Sequence, residues 1–167
     1  MVSKGWSYPN PIASFPDLGN TVFIALFGLE DLPPHVAIVY NKTMFSLTIR
    51  GVEAYQDATR LLRKVWTKKQ CALVECKPFG NAELISTTYN SFEALKPGNS
   101  CIDPLLLLFK SASEIVPSKP FLHGLLLALS EAGLIKNCYT SSIWNDAFVL
   151  ADYAQTDIDK RIEKLGS

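Results

Sequence analysis

The feature that most constrains this chain is the segment from residue 34 to residue 52, in which side-chain character alternates with a period of two. A β-branched run from His35 to Tyr40 has the length and composition of a strand. Asn41 and Lys42 make a polar turn, and in the run that follows apolar residues alternate with polar ones such as Ser46. The segment predicts a β-hairpin with one face toward solvent.

Two prolines fix where the first strand of this hairpin begins. Pro33 and Pro34 cannot donate hydrogen bonds to a sheet, so they mark the start of the strand and leave His35 at its first position. A histidine at the rim of a sheet can reach solvent and take part in chemistry.

The rest of the chain mixes strand and helix patterns, which predicts the α+β class, with a small antiparallel sheet packed against helices. Residues 1–20 read as an irregular N-terminal arm and residues 21–167 as a single α+β domain. Further strands are predicted at 21–27 and 71–77. Helices are predicted at 54–69, 82–95, 101–109, 121–132, 144–151 and 156–165, the last with Thr156 as its cap. Residues 134–143 are ambiguous between the two patterns.

Charge and hydropathy exclude several classes of partner. The chain has 16 basic and 16 acidic residues, so charge gives no reason to expect nucleic acid or an anionic surface as a partner. Apolar runs such as 105–109 are far shorter than the roughly 20 residues of a membrane span. The first 20 residues lack the apolar core of a signal peptide, and the four cysteines read as free thiols, which predicts a cytoplasmic location.

No cofactor or metal site is expected from the motifs. Cys71 and Cys76 fall on opposite faces of a predicted strand, and no second pair of ligands follows at zinc spacing. The sequence contains no glycine-rich phosphate loop, no Gly-x-Ser-x-Gly and no His-Glu-x-x-His motif. His123 lies on an apolar helix, where a histidine at the edge of the core or on the surface is more common than a ligand.

Cys101 is the cysteine best placed for chemistry, because it stands where a buried helix begins. The start of a helix favours a thiolate through the peptide dipoles, and His35 could supply the base that the thiol needs. Two helix starts are open, one at Cys101 and one with Asp103 as the cap and Pro104 at the first helical position. In the second case the Asp103 carboxylate would raise the pKa of the thiol.

The order of these motifs resembles a known family. An apolar strand, His-Val-Ala-Ile-Val with a short turn, a strand ending in Arg-Gly-Val-Glu and, much later, Asn-Ser-Cys opening an apolar helix are similar to the circularly permuted branch of the NlpC-type papain-like hydrolases. The lecithin retinol acyltransferase group, in which the histidine strand also precedes the Asn-Cys motif, shows a more distant resemblance. The resemblance covers roughly residues 19–115 and implies a permuted papain-like fold, with Cys101 as nucleophile, His35 as base and Ser46 as the third polar residue.

Two functions are therefore predicted from the sequence. The first is a cysteine-dependent hydrolase, a peptidase, amidase or thioesterase that forms an acyl-enzyme on Cys101. Its substrate could be a peptide, a peptidoglycan stem or a lipid-derived molecule, and the backbone N–H of Cys101 or Ile102 would stabilise the oxyanion. The alternative is a non-catalytic structural or protein-interaction domain in which both residues are merely packed.

Overall fold

A six-stranded antiparallel sheet forms the centre of the protein in the computed structural model, which describes residues 5–19, 21–142 and 147–167. The strands are β1 (Trp6–Pro9), β2 (Val22–Phe27), β3 (His35–Tyr40), β4 (Thr43–Thr48), β5 (Gly51–Tyr55), β6 (Cys71–Cys76), β7 (Ile135–Thr140) and β8 (Ala147–Leu150). The helices are α1 (Thr59–Lys68), α2 (Ala82–Asn90), α3 (Asp103–Ser113), α4 (Leu122–Glu131) and α5 (Gln155–Gly166). The central sheet has the order β5-β4-β3-β2-β6-β7, and β1 pairs with β8 in a separate ribbon. The predicted α+β class, an antiparallel sheet packed against helices, is confirmed.

Both faces of the sheet are covered. On one face a large apolar cluster joins the sheet to α2, α3, α4 and the β1–β8 ribbon, with Ile38 of β3, Tyr89 of α2 and Phe109 of α3 among its members. On the other face a smaller cluster joins the sheet to α1 through Leu62 and to the N-terminal segment through Leu18. The strands β2 and β6 are buried along most or all of their length, which explains why their sequences are almost continuously apolar.

The prediction that one face of the β3–β4 hairpin is open to solvent is wrong. Ala37, Val39 and Met44 on that face pack in the smaller cluster beneath α1, and the hydroxyl-bearing Ser46 is only 4% exposed. Ser46 resembles a surface residue in the sequence because it is polar, but in the structure a hydrogen bond satisfies it inside the fold.

The turn of this hairpin is the two-residue turn that the sequence predicts. Tyr40 pairs with Thr43, and Asn41 and Lys42 between them have φ values of 46° and 70°. Positive φ at both central residues is the mark of a type I′ turn, whose twist matches that of the flanking strands. Lysine has no side-chain group that favours this backbone conformation, so Lys42 is strained where glycine would not be.

Replacing Lys42 with glycine should therefore stabilise the protein by about 0.5–1 kcal/mol, measured as the free energy of unfolding in urea. The matched control is Lys69→Gly, because Lys69 has an ordinary extended φ of −137°. The control substitution should not increase the free energy of unfolding. Equal effects of the two substitutions would show that Lys42 is not strained by its φ.

Two helix predictions are wrong in ways that matter for the topology. The helix predicted over 54–69 begins only at Thr59. The strand predicted to end at Glu53 is interrupted by a turn at residues 49–50, and residues 51–55 form the edge strand β5 beside β4. The helix predicted over 144–151 is wrong for residues 147–150, which form β8; residues 144–146 lie outside the described part of the chain. Strand β8 forms because β1 lies opposite it, with Trp6 paired to Leu150, and this partner lies far away in the sequence.

Part of the N-terminal segment predicted to be irregular is ordered against the body. Residues 6–9 form β1, and the Trp6 indole donates a hydrogen bond to the Ser130 hydroxyl at 3.0 Å. Ile12 continues along the edge of β7, where its N–H donates to Cys138 O and its carbonyl accepts from Thr140 N. The segment thus pairs with strands from the far end of the chain.

The remaining helices agree with the predictions in type but differ at their ends. Gly133 has a φ of +70° just after α4, as predicted for a left-handed helix end. Thr156 is not the cap of α5, because the helix begins at Gln155 and the Asp157 carboxylate instead accepts the N–H of Ala154 at 2.8 Å. Within the described residues, no helix combines the length and apolar character needed to cross a membrane.

Candidate active site

The structure brings His35 and Ser46 into direct contact. The strands β3 and β4 pair with Ala37 opposite Ser46, and this register places the Ser46 Oγ 2.6 Å from Nε2 of His35. The imidazole also stacks on the Phe27 ring of β2, with centroids 6.1 Å apart. The ring is therefore held from two sides, and Nδ1 is the ring nitrogen that Ser46 does not engage.

Cys101 lies in the turn immediately before α3 rather than within the helix. The Ser100 N–H donates to the Asp103 carboxylate at 2.9 Å, and the Ile102 N–H donates to the Ser100 hydroxyl at 3.3 Å. These two bonds cross the turn in opposite directions, as in a capping box, and fix its shape. Of the two helix starts that the sequence left open, the structure is closer to the later one, but Asp103 is not the cap: α3 begins at Asp103 itself, and Ile102 is the cap residue.

The thiol of Cys101 is neutral at pH 7. Burial raises its pKa to about 11, and the Asp103 carboxylate adds to the rise, as expected from the sequence. The backbone amides of Val36 and of Cys101 itself, together with the Ser100 side chain, act in the opposite direction by hydrogen bonding to the sulfur. The amide of Val36 belongs to the residue next to His35, so the sulfur sits beside the first residues of β3.

His35 is also neutral at pH 7. Burial is the main cause and lowers its pKa below the ordinary value of 6.5. Arg161 lowers the pKa further, whereas Glu53 raises it. A neutral imidazole can act as a general base, but a neutral His35 and a neutral Cys101 do not form a resting thiolate–imidazolium ion pair.

His35 and Cys101 line one cavity of about 520 Å³ at the end of the sheet where β3 begins and β4 ends. Ser46 does not line this cavity, although it contacts Nε2 of the His35 ring. Most of the other wall residues are apolar, and Arg50 and Arg161 are its charged members. The apolar wall residues are Pro33, Pro34, Ile49, Leu95, Ile158, Ile162 and Leu165.

The contribution of α5 to the cavity was missed in the sequence. Ile158, Ile162 and Leu165 recur at helical spacing and indicate an apolar face, but nothing local shows that this face covers Cys101. The helix is attached beside the site by polar contacts, since the Asp159 carboxylate accepts the Gly98 N–H and Gln155 Nε2 donates to Asn99 O.

The other cysteines and His123 lie in packed positions. Cys71, Cys76 and Cys138 are buried free thiols with raised pKa values, and burial is the largest cause in each case. Cys71 pairs with Phe27 and Cys76 with Val22 at opposite ends of β6. Among the described residues there is no group of three or more His, Cys, Asp or Glu side chains that could hold a metal ion.

Comparison with known proteins adds no family to this description. No family model, curated protein or solved structure matches the chain.

Proposed function

We propose that the protein is a cysteine-dependent hydrolase in which Cys101 attacks a carbonyl carbon, His35 is the general base and Ser46 orients the imidazole. The observation that carries the proposal is the 2.6 Å contact between Ser46 Oγ and His35 Nε2, on a ring that shares a cavity with the thiol. Nδ1 is the ring nitrogen that this contact does not use. A nucleophile, a base and a group that orients the base are the parts that acyl transfer requires.

The proton moves in the attack step, because both partners begin neutral. As the sulfur bonds to the carbonyl carbon, the thiol proton passes to His35 Nδ1, and the resulting imidazolium then protonates the leaving amine, alkoxide or thiolate. The acyl group remains on Cys101 as a thioester. A water molecule, deprotonated by neutral His35, hydrolyses this thioester and restores the free thiol.

Two backbone amides hydrogen-bond to the reacting sulfur, those of Cys101 and Val36. Of the two oxyanion donors expected from the sequence, the Ile102 N–H already donates to Ser100 Oγ. We therefore propose that the Cys101 amide stabilises the oxyanion, exchanging its hydrogen bond to the sulfur for one to the carbonyl oxygen as the C–S bond forms.

The cavity favours an apolar acyl group as the substrate. Its volume lies in the range of small-molecule sites, and its walls are mainly aliphatic. Among the substrates considered from the sequence, a lipid-derived acyl ester or thioester, or an apolar peptide side chain, fits better than a polar peptidoglycan stem.

Four free cysteines suit a reducing compartment such as the cytoplasm.

The pH dependence of Cys101 alkylation by iodoacetamide tests this proposal. With His35 as base, the rate should fall as the pH drops through the pKa of His35, below 6.5, because protonated imidazole cannot accept the thiol proton. Above that pH the rate should level off well before the thiol's own pKa of about 11. The measurement is the mass-spectrometric labelling rate of each cysteine between pH 5 and pH 10.

Selective labelling alone would not support the proposal, because Cys101 is partly exposed while the other three cysteines are buried. The shape of the pH profile is the informative quantity. A rate that rises about tenfold per pH unit across the whole range would mean that only hydroxide activates the thiol.

That result would favour the non-catalytic alternative. One observation favours this second candidate, since the pKa of Cys101 is raised rather than lowered. In that case the same cavity would act as a binding site for an apolar ligand.

A further inference from the structure

A second, smaller cavity lies on the α1 side of the sheet and also contacts the His35 ring. Its volume is about 250 Å³, and it is lined by His35 and Ser46 together with residues of β5 and α1. Glu53 is the carboxylate among its wall residues. His35 therefore has the thiol's cavity on one side and a carboxylate-bearing cavity on the other.

The strand register places Glu53 directly opposite Ser46. These two residues are paired in the β4–β5 ladder, and side chains paired in this way project from the same face with Cβ atoms about 4.5–5.5 Å apart. Two hydrogen bonds fix the carboxylate: Oε1 accepts from Arg50 at 2.9 Å and Oε2 accepts from the Tyr55 hydroxyl at 2.9 Å. Its position is consequently determined by the sheet and by both neighbours.

A serine hydroxyl by itself does not decide which ring nitrogen of His35 carries the proton. The Ser46 hydroxyl can accept a hydrogen bond from Nε2–H or donate one to bare Nε2. Only the first arrangement leaves Nδ1 unprotonated and able to take a proton from the thiol. A negative charge beyond Ser46 favours this arrangement, because the N–H and O–H dipoles then both point toward the carboxylate.

We propose that Glu53 is a positioning residue that, acting through Ser46, holds His35 in the Nε2–H tautomer and stabilises the imidazolium formed when the thiol is deprotonated. This inference rests on the proposed role of His35 as the base. The effect of Glu53 on the pKa of His35 has the expected sign, since Glu53 raises it against burial.

Several other ionisable groups line the two cavities that His35 shares or act on its pKa, and any test must separate them from Glu53. They are Tyr55 from β5, Arg50 from the β4–β5 turn, Arg161 from α5 and Cys101 before α3. Arg161 acts on the pKa of His35 in the opposite direction to Glu53. It therefore offers a matched variant with an effect of opposite sign.

The test is imidazole NMR on ¹⁵N-histidine-labelled full-length protein, in which two-bond ¹H–¹⁵N correlations report both tautomer and pKa. The wild-type protein should show neutral His35 as the Nε2–H form. In Glu53→Gln the pKa of His35 should fall by about half a unit or more and the Nδ1–H form should appear. Arg161→Gln should raise the pKa of His35. The control Glu83→Gln should leave both the pKa and the tautomer of His35 unchanged. The signals of His123 serve as the internal reference.

The rate of Cys101 alkylation supplies the second readout. In Glu53→Gln its plateau should drop about tenfold and its acid limb should move to lower pH, whereas Glu53→Asp, which keeps the charge, should retain most of the rate. An unchanged tautomer and pKa of His35 in Glu53→Gln would overturn the inference, as would a wild-type ring in the Nδ1–H form. The NMR result stands whether or not Cys101 proves to be a nucleophile, so failure of this inference is distinguishable from failure of the proposed function.

Discussion

In the His35→Asn variant, alkylation of Cys101 at pH 7.5 will be slower than in the wild-type protein by about a hundredfold or more, the size of a typical general-base contribution. The reason is that the thiol, with a pKa of about 11, is almost entirely protonated at this pH and needs a base to react. Asparagine keeps a polar side chain at the strand start but cannot accept the proton. The measurement is the second-order rate with iodoacetamide, followed by mass spectrometry of the Cys101 peptide.

The chain contains one other histidine, and this provides a matched control. His123 is 4% exposed on α4 and stacks on Phe121, so it does not share the polar contact made by His35. His123→Gln should leave the Cys101 rate within about twofold, provided that circular dichroism shows a folded protein. Equal losses in both variants would mean that the rate reports general loosening of the fold and not base catalysis.

Truncating Phe109 to alanine will cost about 3–5 kcal/mol of the free energy of unfolding, a large share of the roughly 5–15 kcal/mol that holds a typical domain together. Phe109 is fully buried in the larger core cluster and packs against Phe79 with ring centroids 4.2 Å apart. It lies on α3, the helix that follows Cys101, so this contact anchors the element next to the site. Urea unfolding monitored by tryptophan fluorescence measures the loss.

The control for Phe109→Ala is two residues away on the same helix. Leu107 is 42% exposed, so Leu107→Ala should change the free energy of unfolding by only about 0.5 kcal/mol. A loss below about 1 kcal/mol for Phe109→Ala would contradict the assignment of α3 to the core.

The elements that could be predicted from the sequence are those whose signal is local. The hairpin from His35 to Thr48 has β-branched strands and a polar two-residue turn, and the structure has its first strand and turn at the predicted positions. The elements that were missed depend on distant partners. Strand β8 forms against β1, and β5 adds to the edge of β4, so neither is determined by its own residues alone.

In the candidate site, too, the contacts set by local strand pairing could be predicted and those set by distant partners could not. The contact between His35 and Ser46 follows from the hairpin, because strand register alone places residues of β3 and β4 side by side. The apolar wall from α5 could not be predicted because it depends on tertiary packing. The position of Glu53 beside Ser46 could not be predicted because a turn at residues 49–50 folds β5 back onto β4, where the sequence pattern had one strand ending at Glu53. The start of α3 was ambiguous because the sequence fits a helix beginning at Cys101 or one capped by Asp103; in the structure α3 begins at Asp103, whose carboxylate accepts the Ser100 N–H.

The most direct test of the account is to search for the acyl-enzyme itself. The protein would be mixed with p-nitrophenyl butyrate or octanoate, and the release of p-nitrophenol and the intact mass would be followed together. We predict a burst approaching one p-nitrophenol per chain, with a hydroxylamine-sensitive acyl adduct on Cys101 that is absent from Cys101→Ala. Acylation spread over lysines, or a burst that persists in Cys101→Ala, would contradict the assignment of Cys101 as the nucleophile.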